Sequence, residues 1–170
     1  MACKEIKAEE LDRNVFRTIG KDWLLIGAEA GGKLNAMTAS WGGMGVLWGK
    51  NVAYLFLRPS RYTKELLDQS DGVTISVFGE ERRQMMNYFG TVSGRDEDKI
   101  AKSGLTVLRE EAQAYFEEAE LTFFCRKLYV QPLGEEFFLD ESQKKWYSDD
   151  PNNGYHVMYI VEIGKILVRE

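Results

Sequence analysis

Val52-Ala-Tyr-Leu-Phe-Leu-Arg-Pro-Ser-Arg-Tyr-Thr63 places an unbroken apolar run directly before a polar string that contains a proline. The run Val52 to Leu57 reads as a strand buried on both faces. Tyr62 to Gln69 then offers Tyr62, Leu66 and Leu67 on one helical face, with Ser60 as the candidate N-cap. A strand that turns sharply into a helix leaves free backbone N–H groups at the turn, and these favour an anion. Ser60 and Thr63 add hydroxyl donors, and Arg61 and Arg58 add charge-assisted bonds suited to phosphate oxygens. The same residues also read as a capped helix with surface arginines.

Two further segments flank this one. In Asn35-Ala-Met-Thr-Ala-Ser-Trp-Gly42, Thr38 and Ser40 fall on one face of a strand and Met37 and Ala39 on the other. Small residues let backbone groups approach a flat ligand, and Trp41 is suited to stack on it or wall it off. Gly42, Gly43 and Gly45 read as a loop that turns tightly or passes close to something. The plainer reading is a strand end followed by a glycine-rich turn. In Gly90-Thr-Val-Ser-Gly-Arg-Asp-Glu-Asp-Lys99, Ser93-Gly94-Arg95 forms a polar turn before a helix over Asp96 to Lys102 that stops at Gly104. Ser93, the turn's amides, Arg95 and Lys99 together suit a phosphate. The competing reading pairs Asp96 with Lys99 on an exposed helix.

Outward from these segments, strand signals dominate. Val15 to Ile19 and Trp23 to Ala28 are short apolar runs separated by Gly20-Lys-Asp22, and Gly31-Gly32 breaks the chain before Lys33 to Ser40. Val73, Ile75 and Val77 alternate with Thr74 and Ser76, the pattern of a half-buried strand. Leu121 to Val130 and His156 to Val168 are long and rich in β-formers. Glu81 to Phe89 reads as a helix, with Met85, Met86 and Phe89 at helical spacing. Many strands with few short helices predict a mainly β, antiparallel barrel with small helices over its ends.

The 170 residues show no Pro/Ser linker or repeat, so a single domain over 1–170 is expected. A hydrophobic content of 44% is ordinary for a globular chain, and a net charge of -5 argues against a nucleic-acid partner. The acids around Glu110, Glu117, Glu118 and Glu120 read as solvated surface. Cys3 falls in a loose N-terminus and Cys125 in an apolar run, so the two make neither a disulfide framework nor a metal motif. With no apolar leader and no run of membrane-spanning length, the expected setting is the cytoplasm, away from membranes.

In order along the chain, the strings at Asn35–Gly42, Arg58–Thr63 and Ser93–Lys99 resemble the flavin reductase-like family of FMN-binding split barrels, especially its flavoredoxin branch. The resemblance implies a Greek-key split barrel with short flanking helices that forms a homodimer and holds FMN at or near the subunit interface. It implies that Thr38, Ala39, Ser40 and Trp41 lie along the isoalloxazine ring, with Asn35 at its polar edge. It implies that Ser60, Arg61 and Thr63 hold the phosphate, assisted by Ser93 and Lys99, with Arg58 a weaker match.

His156, the sole histidine, stands where the family often carries one near an approaching nicotinamide. A proton relay or a substrate hydrogen bond is one reading, and a strand-end histidine without a role is the other. Trp146-Tyr147 reads either as a cover for flavin or partner subunit or as a local packing cluster. The chain lacks a Gly-x-Gly-x-x-Gly dinucleotide motif, a Cys/His metal cluster and a Gly-x-Ser-x-Gly elbow. The activity that the resemblance implies is an oxidoreductase in which NADH or NADPH stacks on FMN and passes hydride to flavin N5. The alternatives are a flavoredoxin-type electron carrier, served by a redox partner protein without direct NAD(P)H turnover, and a flavin-binding scaffold.

Overall fold

The computed structural model describes residues 2–110, 112–148 and 153–170. One antiparallel sheet organises them. Its strands are β1 (Cys3–Ile6), β2 (Leu24–Ala30), β3 (Lys33–Ala39), β4 (Gly42–Leu47), β5 (Lys50–Leu57), β6 (Gly72–Val77), β9 (Leu121–Pro132) and β10 (Val157–Arg169). Neighbours run β3-β2-β6-β9-β10-β5-β4, and β1 pairs with β10. A separate hairpin joins β7 (Val107–Glu110) to β8 (Gln113–Phe116). Short helices fill the connections: α1 (Val15–Arg17), α2 (Tyr62–Gln69), α3 (Arg83–Thr91) and α4 (Lys99–Ser103).

The long strand β10 is the spine. It pairs with β9 along its length, while its other edge meets β5 over Val157 to Glu162 and β1 over Ile166 to Arg169. Register shifts at Ile160/Val161 and Ile163/Lys165 let this strand bend and serve both partners. The expected mainly β fold with short helices is what the chain adopts.

Two apolar clusters lie on opposite faces of β2. Leu24, Ile26 and Ala28 join Leu55, Leu57, Ile75, Phe123 and Tyr159 in the larger one. Leu25 turns the other way, toward Met86, Phe89, Ile100 and Phe116 beneath α3, α4 and the hairpin. A strand covered on both sides reads as a continuous apolar run, as β2 does.

Several sequence expectations change here. Val15 to Ile19 is not a strand: Asn14 caps α1 by accepting from the Arg17 N–H at 3.0 Å, and Thr18–Asp22 continues as a π-helical turn. A side-chain cap outweighs the β-preference of a short apolar run. Gly42 to Gly45 is not a loop but opens strand β4, which pairs with β5. At Gly42 a Cβ would lie 2.7 Å from the Tyr54 carbonyl oxygen, so the glycine serves a close strand approach. Strand β6 is buried on both faces, because the hairpin covers its polar side and Thr74 donates to the Ala114 carbonyl at 2.8 Å. The acids read as solvated are half-buried; Glu120 pairs with Arg13 at 2.7 Å, and Glu118 accepts from the Thr106 N–H, while Glu111 lies outside the described residues. Cys125 is buried as expected, and burial pushes its thiol up, whereas exposed Cys3 belongs to β1.

Candidate functional site

The end of β5 and the start of α2 build the first wall. Pro59 disfavours helix at Arg58, so the chain turns before it coils. The N-cap is Arg61 rather than Ser60, and no side chain caps the helix. The opening N–H groups of α2 therefore lack intrahelical acceptors, and Tyr62 and Thr63 line the adjoining cleft. Thr63 is fully buried and its hydroxyl oxygen accepts from Asn35 Nδ2 at 2.9 Å, which leaves its O–H to donate elsewhere.

The second wall is the turn at residues 93–95 with α4. This helix begins at Lys99 and not at Asp96, because Asp98 accepts from the Ala101 N–H at 3.0 Å. Gly104, at φ +72°, ends it as expected. The Asp96–Lys99 pairing does not form: Lys99 is only 2% exposed and donates to the Phe89 carbonyl at 3.1 Å. Arg61 reaches the same region of α3, donating to the Gly90 carbonyl at 2.7 Å. The carbonyl end of a helix attracts cations, so α3 gathers both. Arg95, read as a second phosphate cation, instead fastens the turn to α2 by donating to the Ser60 carbonyl at 2.7 Å and pairing with Glu65.

Asn35, Ser60, Arg61, Thr63, Ser93 and Lys99 thus border one cleft of about 390 Å³. Its electrostatics are one-sided. Burial, then the Arg61 charge, pushes the Lys99 ammonium down to about 8. Burial, then Arg58, lowers Arg61 as well. Both cations rest on carbonyls, and among the described residues no carboxylate lines the cleft. Buried positive charge without a counter-charge is costly, and a phosphate would relieve it.

A second cleft of about 220 Å³ adjoins this one and shares Met37, Arg58 and Arg61 with it. Thr38, Ala39, Ser40, Trp41 and His156 line it, together with Phe56 and Trp146. The Thr38 hydroxyl is already committed, donating to the Met86 carbonyl at 2.6 Å, so this stretch offers the cleft backbone and small side chains. Trp41 meets Trp146 edge-on at 5.4 Å and His156 at 5.3 Å. His156 Nδ1 lies 2.8 Å from the Tyr147 hydroxyl, and burial followed by Arg58 and Arg61 pushes the imidazole down to about 4. It is neutral at physiological pH.

The residues that the resemblance singled out each border one of the two clefts, Arg58 and Arg61 border both, and Arg95 borders neither. Trp146 lines the second cleft, while Tyr147 packs against Phe138, Tyr155 and His156. The neighbouring Asp149 to Asn152 lies outside the described residues. Sequence reading passed over Phe56, Met37, Gly94 and Asn153. Gly94 carried a signal: a Cβ there would sit 2.3 Å from Asn35 Oδ1, so only glycine lets the turn close on Asn35. Phe56 and Asn153 carried none, since each reaches the site only through the fold. Among the described residues no cluster of His, Cys, Asp and Glu could hold a metal. No helix there is long and apolar enough to cross a membrane.

These two clefts fit a phosphate joined to a flat aromatic ring, and comparison with known proteins points the same way. The flavin reductase like domain matches residues 16–170. No curated protein matches the sequence. Similar solved structures include the flavoredoxin of Desulfovibrio vulgaris (Miyazaki F), with 21% identity and a TM-score of 0.68 over 97% of this chain and 78% of that one. The flavoredoxin from Methanosarcina acetivorans shares 20% identity at a TM-score of 0.68, over 88% of this chain and 69% of that one. The styrene monooxygenase flavin reductase from Pseudomonas putida S12 shares 15% identity at 0.64, over 88% and 80%. At such identities the structures share a fold, a mainly β split barrel, and the domain match supplies the rest: this chain belongs to the flavin reductase-like family.

Proposed function

We propose that this protein binds FMN across the two clefts and acts as an NAD(P)H-dependent flavin reductase. The observation that carries the reading is a pair of cations, buried Lys99 and half-buried Arg61, that line the first cleft with no carboxylate among the described residues, Arg61 also lining the aromatic-walled second cleft. Bound FMN would supply the redox chemistry, accepting hydride at N5 from NADH or NADPH.

The chain's own residues do the rest. Arg61, Lys99 and the hydroxyls of Ser60, Thr63 and Ser93 hold the phosphate. Backbone groups of Thr38 to Ser40 lie along the ring, with Asn35 nearby. Trp41, Phe56 and Trp146 exclude water from it. Among the described residues neither cleft is lined by a carboxylate or a thiol, and the protein's part is to position and polarise rather than attack.

A second reading, a flavoredoxin-type electron carrier serving a redox partner protein, is favoured by one feature. The Trp146 ring stands against Trp41 where a second flat ring would enter. The visible spectrum of FMN-loaded protein, followed anaerobically with NADH and then NADPH, separates the two. Bleaching much faster than that of free FMN establishes the reductase. An oxidised spectrum that yields only to dithionite establishes the carrier.

The same proposal includes a homodimer in a cytoplasmic setting. Val46, Trp48, Tyr129 and Val130 are exposed apolar side chains, with Trp48 and Tyr129 in ring contact at 6.3 Å, and they suit a subunit interface. A monomer by light scattering with FMN bound would remove the dimer.

A further inference from the structure

Arg58 and Arg61 belong to the same turn, yet their guanidinium groups do different things. Arg61 points to the end of α3 in the cation-lined cleft. Arg58 turns instead to the segment that precedes β10. Its Nη2 donates to the Trp146 carbonyl at 3.2 Å and its Nη1 to the Gly154 carbonyl at 3.1 Å. Its guanidinium also lies 4.9 Å from the centre of the Tyr147 ring. Both Nη groups of Arg58 are thus turned to carbonyls, whereas Arg61 commits only its Nη1 to the Gly90 carbonyl.

What Arg58 holds is the support of the sole histidine. Tyr147 packs against Tyr155 at 4.7 Å and Phe138 at 6.1 Å, and its hydroxyl meets His156 Nδ1 at 2.8 Å. Burial raises the Tyr147 phenol, so it keeps its proton. A neutral phenol facing a neutral imidazole either donates to Nδ1, which leaves the ring's own proton on Nε2, or accepts from an Nδ1–H.

We propose that Arg58 is a positioning residue: by clamping Trp146, Tyr147 and Gly154 to the end of β5, it fixes His156 as an Nε2–H donor at the ring-shaped cleft and leaves phosphate selection to Arg61 and Lys99. An N–H there matches an acceptor oxygen, the carbonyl or carboxamide of a flat ligand. It does not match a group that must receive and return a proton. The division of labour between the arginines rests on the flavin reading above; the clamp does not.

The clamp is tested on flavin-free protein. Because His156 is the sole histidine, its tautomer can be read directly by long-range nitrogen–proton NMR. Wild type should show one tautomer with the proton on Nε2. Arg58→Lys keeps the charge but cannot reproduce both carbonyl bonds and the stacking. It should show a mixture of tautomers and a histidine that titrates nearer its ordinary range. A wild-type proton on Nδ1, or an unchanged histidine in Arg58→Lys, overturns the clamp.

The division of labour is tested by the ratio of riboflavin to FMN dissociation constants, which reads the phosphate contribution alone. Arg58→Ala should leave that ratio within about threefold of wild type, and Arg61→Ala should lower it about tenfold or more. A fall in Arg58→Ala equal to that in Arg61→Ala returns Arg58 to the phosphate. If the wild-type protein binds neither flavin, the flavin reading itself fails, and the NMR result still decides the clamp.

Discussion

The cation-lined cleft and the aromatic cleft touch along Met37, Arg58 and Arg61, but they are assembled in opposite ways. The first is made from compact strings: the Arg58–Thr63 turn and the Ser93–Lys99 turn supply most of its polar groups. Its design is electrostatic, with buried Lys99 and half-buried Arg61 held by α3 carbonyls and no carboxylate among the described lining residues. The second combines the end of β3 with Phe56, Trp146 and His156, from distant parts of the chain. Its design is steric and aromatic, and its one titratable ring is neutral. The contrast teaches that one ligand can be recognised by local chemistry at one end and by packing at the other.

Substitutions should separate the two ends, and the largest effect belongs to the cations. Arg61→Ala should weaken FMN by about 10- to 100-fold, the loss of a charged hydrogen bond, and leave riboflavin nearly unchanged. Flavin fluorescence quenching measures both, and equal losses would erase the distinction between the clefts. Next is Gly94→Ala. Its Cβ would meet Asn35 Oδ1 at 2.3 Å, so the turn must move, at a cost of about 1–3 kcal/mol in urea unfolding with weaker FMN binding alongside.

Lys99 makes the contrast dependent on pH. Its ammonium is pushed down to about 8 in the folded chain, against about 10.4 when unfolded. Between those values the unfolded state binds more protons, so flavin-free stability should rise with pH across that window and stay flat below it. FMN should bind less tightly as pH climbs through about 8, because the phosphate prefers the charged lysine. Lys99→Met should abolish both trends. Riboflavin affinity that tracks pH in the same way would place the lysine at the ring instead.

The smallest effect is expected at the ring end. The His156 imidazole sits at about 4, below the ordinary 6.5, so the unfolded chain takes up the proton first as pH falls. His156 should therefore erode stability between about 6.5 and 4, while donor-driven flavin reduction stays flat from pH 6 to 8 on its account. His156→Gln should remove its share of the acid sensitivity in a urea–pH series. A step in the reduction rate near pH 6.5 would show an exposed histidine.

How much of this was legible follows from how each part is built. Helix α2 was readable to its ends, because Pro59 and the Tyr62, Leu66, Leu67 spacing act within one turn. Strands β2, β3, β5, β9 and β10 were visible as apolar runs. Strand β4 was hidden, because Gly42, Gly43 and Gly45 look like a turn until β5 pairs with them. The covered face of β6 was hidden for the same kind of reason: Thr74 looks solvated until the Ala114 carbonyl meets it. Lys99 read either as a phosphate cation or as a surface ion pair with Asp96, and only the carbonyl end of α3 explains why it turns inward.

By itself, then, the sequence determined the local devices: the turn that opens α2, the hydroxyls and cations suited to phosphate, and a mainly β chain. Local devices act through dihedral preference and neighbouring groups, which a short string contains in full. The tertiary structure alone decided that the strings share one cleft, that Arg95 ties rather than binds, and that Arg58 reaches Trp146 and Gly154. Those outcomes depend on which distant carbonyl or ring the fold brings within a few ångströms, and no spacing along the chain encodes that distance.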